Sequence, residues 1–237
     1  MKKRADILAI VPALNEEKAI GHVIKEIKTL DVPIDVVVID DGSDDCTADA
    51  AQKTGTTVLS LPYNLGIGGA VQTGFQYAVQ HGYQKAVQVD GDGQHIPKEI
   101  PLLLQAMDNQ NVDVVIGSRF LGKGDFVSSA PRRMGIRIFQ GVNSLFLKQK
   151  ITDNTSGFRA YNQRAIAFLA EYYPHDYPEP ESVILLKKNG FTMTEIPVHM
   201  RQREHGQSSI SAFRAVYYMI KVLLAIFVGM FKKQIKR

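Results

Sequence analysis

Two aspartates, Asp90 and Asp92, stand two positions apart in the segment Asp90–His95, directly after a short apolar run. Two carboxylates this close would repel an anionic ligand, but they suit a hard divalent cation such as Mg²⁺ or Mn²⁺. Such a cation would clamp the phosphates of a nucleotide diphosphate, and the amide oxygen of Gln94 is a candidate third ligand. The same Asp-Gly-Asp-Gly sequence also favours a plain turn. The residues alone leave both interpretations open.

Polar side chains also follow three other apolar runs, in Pro12–Glu17, Asp40–Ser43 and Gly117–Arg119. The carboxyl ends of parallel strands meet at one edge of a sheet, and ligands bind in the crevice beyond that edge. A single polar residue at such a place commonly caps the next helix, as Ser43 and Asp44 could do. Four polar strand ends together favour a shared ligand site.

The hydropathy pattern indicates the elements that must position these residues. Short β-branched runs alternate with amphipathic helical patterns, which predicts an α/β fold with a mostly parallel sheet and helices on both faces. The predicted strands are Ile7–Val11, Val36–Ile39, Thr57–Leu59, Ala86–Val89 and Val114–Ile116. The predicted helices are Glu16–Thr29, Cys46–Lys53, Gly68–Gln80 and Pro97–Met107.

The second half of the chain is less regular. Its Gly- and Ser-rich segment Phe120–Ser129 is typical of a loop. The pattern beyond it predicts a helix at Arg132–Leu147, strands at Gly157–Tyr161 and Thr192–Val198, and a long apolar helix at Ala212–Phe231.

Composition excludes several function classes. The 237 residues are 45% hydrophobic and 22% charged, as in an ordinary globular protein. A net charge of +4, without a basic stripe, does not indicate nucleic-acid binding. Cys46 is the only cysteine, so an intramolecular disulfide and a cysteine zinc site are excluded. The charged start Met1–Asp6 lacks the features of a signal peptide, and we expect the chain to stay in the cytoplasm.

Several motifs resemble those of family 2 glycosyltransferases with the GT-A fold. The segments Ile10–Glu17, Val38–Ser43 and Asp90–His95 carry this resemblance in the right order and spacing. Asn64–Ala70 and Thr155–Tyr161 narrow it to the branch of dolichyl-phosphate mannose synthase and bacterial polyprenyl-phosphate glycosyltransferases. The resemblance predicts a GT-A catalytic domain over residues 1–211 and a separate apolar helix over residues 212–237.

The resemblance implies a metal-dependent enzyme that moves a sugar from a nucleotide-diphosphate donor to polyprenyl phosphate, with inversion at the anomeric carbon. The residues implied to bind the donor are Pro12, Ala13, Glu16, Asp40 and Asp90. The implied metal ligands are Asp92, Gln94 and Asp90. Arg119 is implied to contact the acceptor phosphate, with Arg132, Arg133 and Ser156 beside it.

The segment Arg201–Ser209 resembles a lid that members of this family have near the end of the catalytic domain. There Arg203 would grip the donor diphosphate, so Asp90, Asp92, Arg119 and Arg203 form the implied catalytic set. The family's lysine position is Ser209 in this chain, and His205 is a candidate substitute.

The acceptor decides whether the reaction needs a base. A phosphate is ionised near neutral pH and attacks without one, whereas a sugar hydroxyl needs a carboxylate to take its proton. Glu179 and Glu181 are the candidate bases, because Asp176–Glu181 lies where related sugar-polymer transferases carry an acidic motif. A glycan acceptor is therefore the alternative. We favour the lipid phosphate because Arg119 and Thr155–Tyr161 match that branch.

The tail bears on location. Ala215–Phe231 is apolar on all sides apart from Lys221, and the basic residues Lys232–Arg237 follow it. The stretch is short and interrupted for a membrane span, and a helix of this kind lies in lipid or packs against protein. We expect peripheral attachment to the inner face of the cell membrane. The alternatives are packing within the chain or a homo-oligomer, and docking on a small membrane-protein partner.

Other readings of the motifs fit less well. A dinucleotide fingerprint needs a glycine at its sixth place, directly after the first strand. The sixth place after Gly66 is Val71, and the segment follows the third strand. A sugar-nucleotide pyrophosphorylase needs a glycine- and arginine-rich loop where Pro12–Glu17 stands. A non-catalytic sugar-nucleotide sensor stays open, and a donor-hydrolysis assay would separate it from an enzyme.

Overall fold

The protein folds around one seven-stranded sheet, seen in a computed structural model that describes residues 5–121 and 151–201. The strands are β1 (Ile7–Ala13), β2 (Ile34–Asp40), β3 (Thr57–Ser60), β4 (Lys85–Gln88), β5 (Val114–Ser118), β6 (Arg159–Asn162) and β7 (Met193–Pro197). Their order across the sheet is β3-β2-β1-β4-β6-β5-β7. Among them, β6 alone is antiparallel to its neighbours, β4 and β5. The sheet is thus mostly parallel, as predicted.

Helices cover both faces of the sheet. They are α1 (Ile20–Lys28), α2 (Thr47–Gln52), α3 (Gly66–Gln80), α4 (Ile100–Gln110), α5 (Gln163–Tyr172) and α6 (Pro178–Lys188), with a 3₁₀ turn at Pro97–Glu99. Helices α3, α5 and α6 pack on one face, and α1, α2 and α4 pack on the other. The α/β fold class with helices on both faces is confirmed.

Strand β1 shows why the strands in the first half of the chain can be predicted from the sequence. Leu8 and Ile10 face the α3 layer, whereas Ala9 and Val11 face the α1 layer, and all four are 0% exposed. Successive side chains of a strand point to opposite faces. A strand covered on both sides therefore appears in the sequence as an unbroken apolar run.

The five predicted strands of the first half are present, with ends that differ by up to a few residues. The largest helix difference is at α1, which begins at Ile20 and not at Glu16. Asn15 has a positive φ of 55°, and the carbonyl of Glu16 accepts from Ala19 and Ile20, so this stretch is a turn before the helix.

Helices α5 and α6 were not predicted. The N-cap of α5 is Asn162, whose side chain accepts from the amide of Ala165 at 2.9 Å, and α6 has a proline in its first turn. Both are ordinary helix-start signals. The predicted helices at Arg132–Leu147 and Ala212–Phe231, and all but the first two residues of the predicted loop, lie outside the described residues. Within the described ranges, no helix has the length and apolar character to cross a membrane.

Candidate active site

The sheet brings the predicted site residues to one edge. Strands β1, β2, β4 and β5 end there, and β6 begins there, since Arg159 pairs with Gln88 of β4 and Ile116 of β5. Asp40 is the last residue of β2, Asp90 and Arg119 follow β4 and β5, and Ser156 precedes β6. The carboxyl edge, where the sequence predicts a crevice, therefore brings together residues from four of these strands.

Backbone hydrogen bonds connect the carboxyl ends of β1, β2 and β4. The carbonyl of Pro12 accepts from Gly91 at 3.1 Å, and that of Ala13 accepts from Asp41 at 2.9 Å. A side chain at Gly91 would place its Cβ 3.0 Å from the Cβ of Ala13, so any larger residue would crowd this approach. Asp40 is 5% exposed. The residues implied to cradle the nucleoside thus lie on one firmly connected floor.

The second aspartate of the Asp-Asp-Gly-Ser motif has a structural task that the sequence did not reveal. Asp41 is buried, and its Oδ1 accepts from the amide of Leu65 at 2.7 Å, which secures the start of α3. Burial raises the pKa of this carboxyl above its ordinary value. Ser43 Oγ accepts from Asn15 at 2.9 Å, and no side-chain cap bond from Ser43 or Asp44 reaches α2. Asp41 and Ser43 thus connect neighbouring loops, and the acid that accepts from the first amide of α2 is Asp45, at 2.9 Å from Thr47.

Asp90 is oriented by a histidine. The amide of Asp90 donates to His95 Nδ1 at 3.0 Å, so the ring's proton belongs on Nε2, which lies 3.6 Å from Asp90 Oδ2. His95 is 3% exposed and stacks on Phe158 with ring centroids 4.9 Å apart. The Asp90 side chain is 35% exposed and opens into the crevice. His95 is therefore a positioning residue that sequence reasoning missed.

The segment Asp90–His95, here called the metal loop, forms a turn and also carries the two carboxylates of Asp90 and Asp92. Gly93 has a φ of 78°, and Asp92 Oδ1 accepts from the amide of Gln94 at 3.0 Å. No group of three or more His, Cys, Asp or Glu residues in the described ranges could hold a metal ion. Mg²⁺ usually takes one or two protein carboxylates and completes its shell with substrate phosphates and water. The donor set fits a metal shared with a diphosphate.

Arg119 is fixed at the end of β5 by a buried carboxylate. Its Nε and Nη2 each donate to Asp153 at 2.7 Å, and Nη2 also donates to Thr155 Oγ1 at 2.7 Å. The Asp153 side chain is 0% exposed and that of Arg119 is 19% exposed. Burial alone would lower the pKa of Arg119, but the bonds to Asp153 outweigh it and the pKa is raised. Asp153 is a second positioning residue that the sequence did not indicate.

Strand β7 supports Asp153 in turn. Glu195 accepts from the amides of Thr152 and Asp153 at 2.6 and 2.7 Å. Burial raises the pKa of Glu195. The backbone that carries Asp153 is thus attached to the sheet, which fixes the direction of the Arg119 guanidinium.

Arg159 connects the segment before β6 with the start of α6. It is 1% exposed and donates to the carbonyls of Asn154, Ser156 and Glu179 at 2.7, 2.7 and 3.0 Å. It also donates to Ser182 Oγ at 2.9 Å. Ser156 is itself 1% exposed, and its predicted contact with the acceptor stays a prediction.

Comparison with known proteins identifies the family of the chain. The sequence profile of the family described as glycosyl transferase family 2 matches residues 8–169. The chain belongs to glycosyl transferase family 2.

Two relatives of this family 2 member extend over nearly the whole chain. Undecaprenyl-phosphate mannosyltransferase of Micrococcus luteus is 31% identical over 86% of this chain and 87% of the relative. A UDP-N-acetylglucosamine–dolichyl-phosphate N-acetylglucosaminyltransferase of Methanococcus voltae is 27% identical over 90% of this chain and 94% of its own length. The resemblance to the polyprenyl-phosphate branch is confirmed.

A solved structure shares the fold of this glycosyltransferase. Glucosyl-3-phosphoglycerate synthase of Mycobacterium tuberculosis, in complex with Mn²⁺, UDP and phosphoglyceric acid, superposes with a TM-score of 0.69. The match covers 97% of this chain and 80% of that one, at 19% identity. The predicted GT-A fold is confirmed.

The two candidate bases of the glycosyltransferase lie in different surroundings. Glu179 is partly exposed, and its pKa is raised mainly by desolvation, with a further contribution from the charge of Asp90. Arg159 and Arg119 act in the opposite direction, so Glu179 lies within electrostatic range of the crevice residues. Glu181 accepts from the amide of Tyr177 at 3.2 Å, which helps to close the first turn of α6. Glu179 is the better-placed candidate.

Four residues singled out from the sequence cannot be placed here. Arg132, Arg133, Arg203 and His205 lie outside the described residues. Their roles toward the acceptor and the donor diphosphate stay predictions.

Proposed function

We propose that the protein is an inverting glycosyltransferase that moves a sugar from a nucleotide-diphosphate donor to polyprenyl phosphate, with Mg²⁺ or Mn²⁺. The observation that carries this proposal is the position of Arg119, a guanidinium that Asp153 fixes at the carboxyl edge of the sheet, within electrostatic range of Asp90. The named activities of the Micrococcus luteus and Methanococcus voltae relatives support a lipid-phosphate acceptor. The Mn²⁺ and UDP in the solved relative support the metal and the donor class.

On the donor side, Pro12, Ala13 and Glu16 form the floor for the nucleoside, and Asp40 faces the base. Asp92, Gln94 and Asp90 would hold the metal, a role for which their oxygen donors are suited. A divalent cation held there would supply positive charge to the diphosphate leaving group. Arg203 would add a second positive charge to the same leaving group.

On the acceptor side, Arg119 binds the phosphate, with Arg132, Arg133 and Ser156 nearby. Its guanidinium is already oriented by Asp153, so little side-chain freedom is lost when an acceptor binds. The acceptor phosphate is ionised and attacks the anomeric carbon in line with the leaving group, which inverts that centre. No side chain has to take a proton.

A glycan hydroxyl acceptor is the second candidate, because Glu179 lies within electrostatic range of Asp90 and Arg119 and has a raised pKa. A general base works best with a pKa near the working pH, and the shift of Glu179 is in that direction. In that reaction Glu179 takes the hydroxyl proton, with Glu181 as the less favourably placed choice.

We place the enzyme on the inner face of the cell membrane, where a polyprenyl phosphate would be presented. The apolar segment over residues 212–237 would contact lipid, a small membrane-protein partner or a second copy of the chain. Truncation after Ser211 should then depress transfer from membranes and spare hydrolysis of the soluble donor.

The test is a screen of labelled nucleotide sugars, first for hydrolysis and then for transfer to polyprenyl phosphate, with Mn²⁺ and with EDTA. We expect transfer that EDTA and Asp92→Ala abolish. Glu179→Gln should keep most of the rate with the lipid phosphate. Transfer that persists undiminished in EDTA would remove the metal from the proposal. A Glu179→Gln variant that binds donor yet transfers to no acceptor would favour the hydroxyl alternative.

A further inference from the structure

The chain returns along the metal loop after it leaves the sheet. Beyond β7, the amide of Val198 donates to the carbonyl of Ser118 at 3.1 Å. Met200 then forms an antiparallel bridge with His95, and the amide of Arg201 donates to the carbonyl of Gln94 at 2.8 Å. Residues 198–201, here called the return segment, therefore form the outer side of the metal loop.

The last residue of the return segment is fixed to α1 by a two-pronged ion pair. Arg201 Nη1 and Nη2 donate to the two carboxylate oxygens of Glu26 at 2.9 and 2.8 Å. The hydrogen bond from Arg201 is the main reason why the pKa of Glu26 is lowered. A bidentate pair of this kind fixes direction as well as distance. Its anchor is firm, because Ile24 and Ile27 of the same helix are 0% exposed.

The return segment reaches the metal loop at the two points that orient its carboxylates. The carbonyl of Gln94 accepts from the amide of Arg201, and the amide of Gln94 donates to Asp92 Oδ1 at 3.0 Å. His95, which bridges to Met200, accepts from the amide of Asp90 at 3.0 Å. A shift of the return segment would therefore change how both carboxylates are presented.

We propose that Arg201 and Glu26 are positioning residues for the metal loop, and that their ion pair sets its affinity for a divalent cation. The inference rests on the proposed function, which gives the loop its metal. The Glu26 carboxylate fixes Arg201, and the return segment then acts on the metal loop through the backbone of Gln94 and His95. Partners outside the ligand shell of a metal commonly change its affinity by about 10- to 100-fold when they are removed.

The pair can be tested without unfolding the protein. The Arg201 and Glu26 side chains are 35% and 19% exposed, and partly exposed ion pairs add little to global stability. Mn²⁺ alone is titrated into the full-length chain and followed by electron paramagnetic resonance. Arg201→Gln and Glu26→Gln should each raise the Kd for Mn²⁺ about tenfold. The double variant should be no worse than either single one, because both act through one contact.

The chain offers a matched control on the same segment. His199 Nδ1 lies 3.1 Å from Glu99 Oε1, in a pair of which the histidine side chain is 79% exposed. His199→Gln should leave the Kd for Mn²⁺ unchanged. Arg201→Lys should rescue only part of the affinity, since an ammonium lacks the two-pronged geometry. Hydrogen exchange of the Arg201 amide should accelerate in Glu26→Gln, which reports the loosened segment independently of metal.

The outcomes separate this inference from the proposed function. Unchanged Mn²⁺ affinity in both Gln variants of a chain whose wild type binds Mn²⁺ would overturn the inference and leave the proposed function standing. Equal weakening by His199→Gln would also overturn it, because the effect would then belong to the whole segment. A wild type that binds no Mn²⁺ yet transfers sugar in EDTA would overturn the metal in the proposed function, and this inference with it.

Discussion

Replacement of Asp153 by asparagine should expose how strongly the site depends on its buried ion pair. Asparagine has the shape of aspartate, but it removes the charge and turns one acceptor oxygen into a donor. In the wild type, that carboxylate accepts from Nε and Nη2 of Arg119 and from the Arg119 amide, at 2.7, 2.7 and 3.0 Å. The variant therefore leaves the Arg119 guanidinium without its counter-charge.

The size of the effect follows from burial. Removal of one partner from a buried ion pair typically costs about 3–5 kcal/mol in the free energy of unfolding. Asp153 is 0% exposed, but the Arg119 side chain is 19% exposed, so water compensates part of the loss. We therefore expect about 3 kcal/mol. For a protein of this size, that corresponds to a Tm lower by roughly 6–12 °C.

The assay is urea unfolding of the wild type, Asp153→Asn, Arg119→Met and the double variant. Arg119→Met leaves the buried Asp153 carboxylate unpaired, so it should be as damaging as Asp153→Asn. The double variant should be more stable than the sum of the two single losses predicts, because it leaves no lone charge behind. A loss within about 0.5 kcal/mol of zero for Asp153→Asn, the range of ordinary surface changes, would refute the reasoning.

The remaining predictions concern the crevice. In Gly157→Ala, the new Cβ would lie 2.9 Å from Gln88 Nε2 and 3.2 Å from both Asp90 carboxylate oxygens. The rate of sugar transfer should therefore fall about tenfold or more. The control is Gly21→Ala, whose new Cβ would have no neighbour closer than 4.0 Å and which should keep the wild-type rate. In Glu179→Gln, the protein loses a carboxyl whose charged form is disfavoured, so unfolding by urea should show higher stability than wild type near neutral pH. That gain should vanish below the ordinary pKa of 4.5, where Glu179 is neutral in the folded and unfolded protein alike, and an unchanged difference across this range would contradict the raised pKa.

The parallel half of the fold was predictable because its signals are local. A strand covered on both faces must be apolar throughout, and polar residues then mark its carboxyl end. Asp40, Asp90 and Arg119 could be placed at one edge by this rule alone. The helix starts at Asn162 and Pro178 carry local signals too, and they could have been predicted from them.

The positioning residues could not be found in this way, because each depends on a distant partner. Arg119 and Asp153 are 34 positions apart, and Arg201 and Glu26 are 175 apart. A single sequence gives no sign of which acid meets which arginine. Asp41 was hidden for another reason. It adjoins Asp40 in one motif, and only the fold shows that Asp41 holds Leu65 while Asp40 lies at the floor of the crevice.

Two carboxylates bear on which acceptor can bind: Asp90 at the crevice and Glu179 within electrostatic range of it. Asp90 and Glu179 raise the electrostatic cost of any anionic acceptor, and each raises it more as the site is desolvated. A lipid phosphate can bind there because Arg119, and the metal of the proposed function, supply the opposite charge. A neutral hydroxyl meets no such cost, and for it the raised pKa of Glu179 would be an advantage. The choice therefore depends on whether the charge of Arg119 is needed. In the Asp153→Asn/Arg119→Met double variant, transfer to a phosphate should be abolished and donor hydrolysis should remain, whereas transfer to a hydroxyl acceptor should persist.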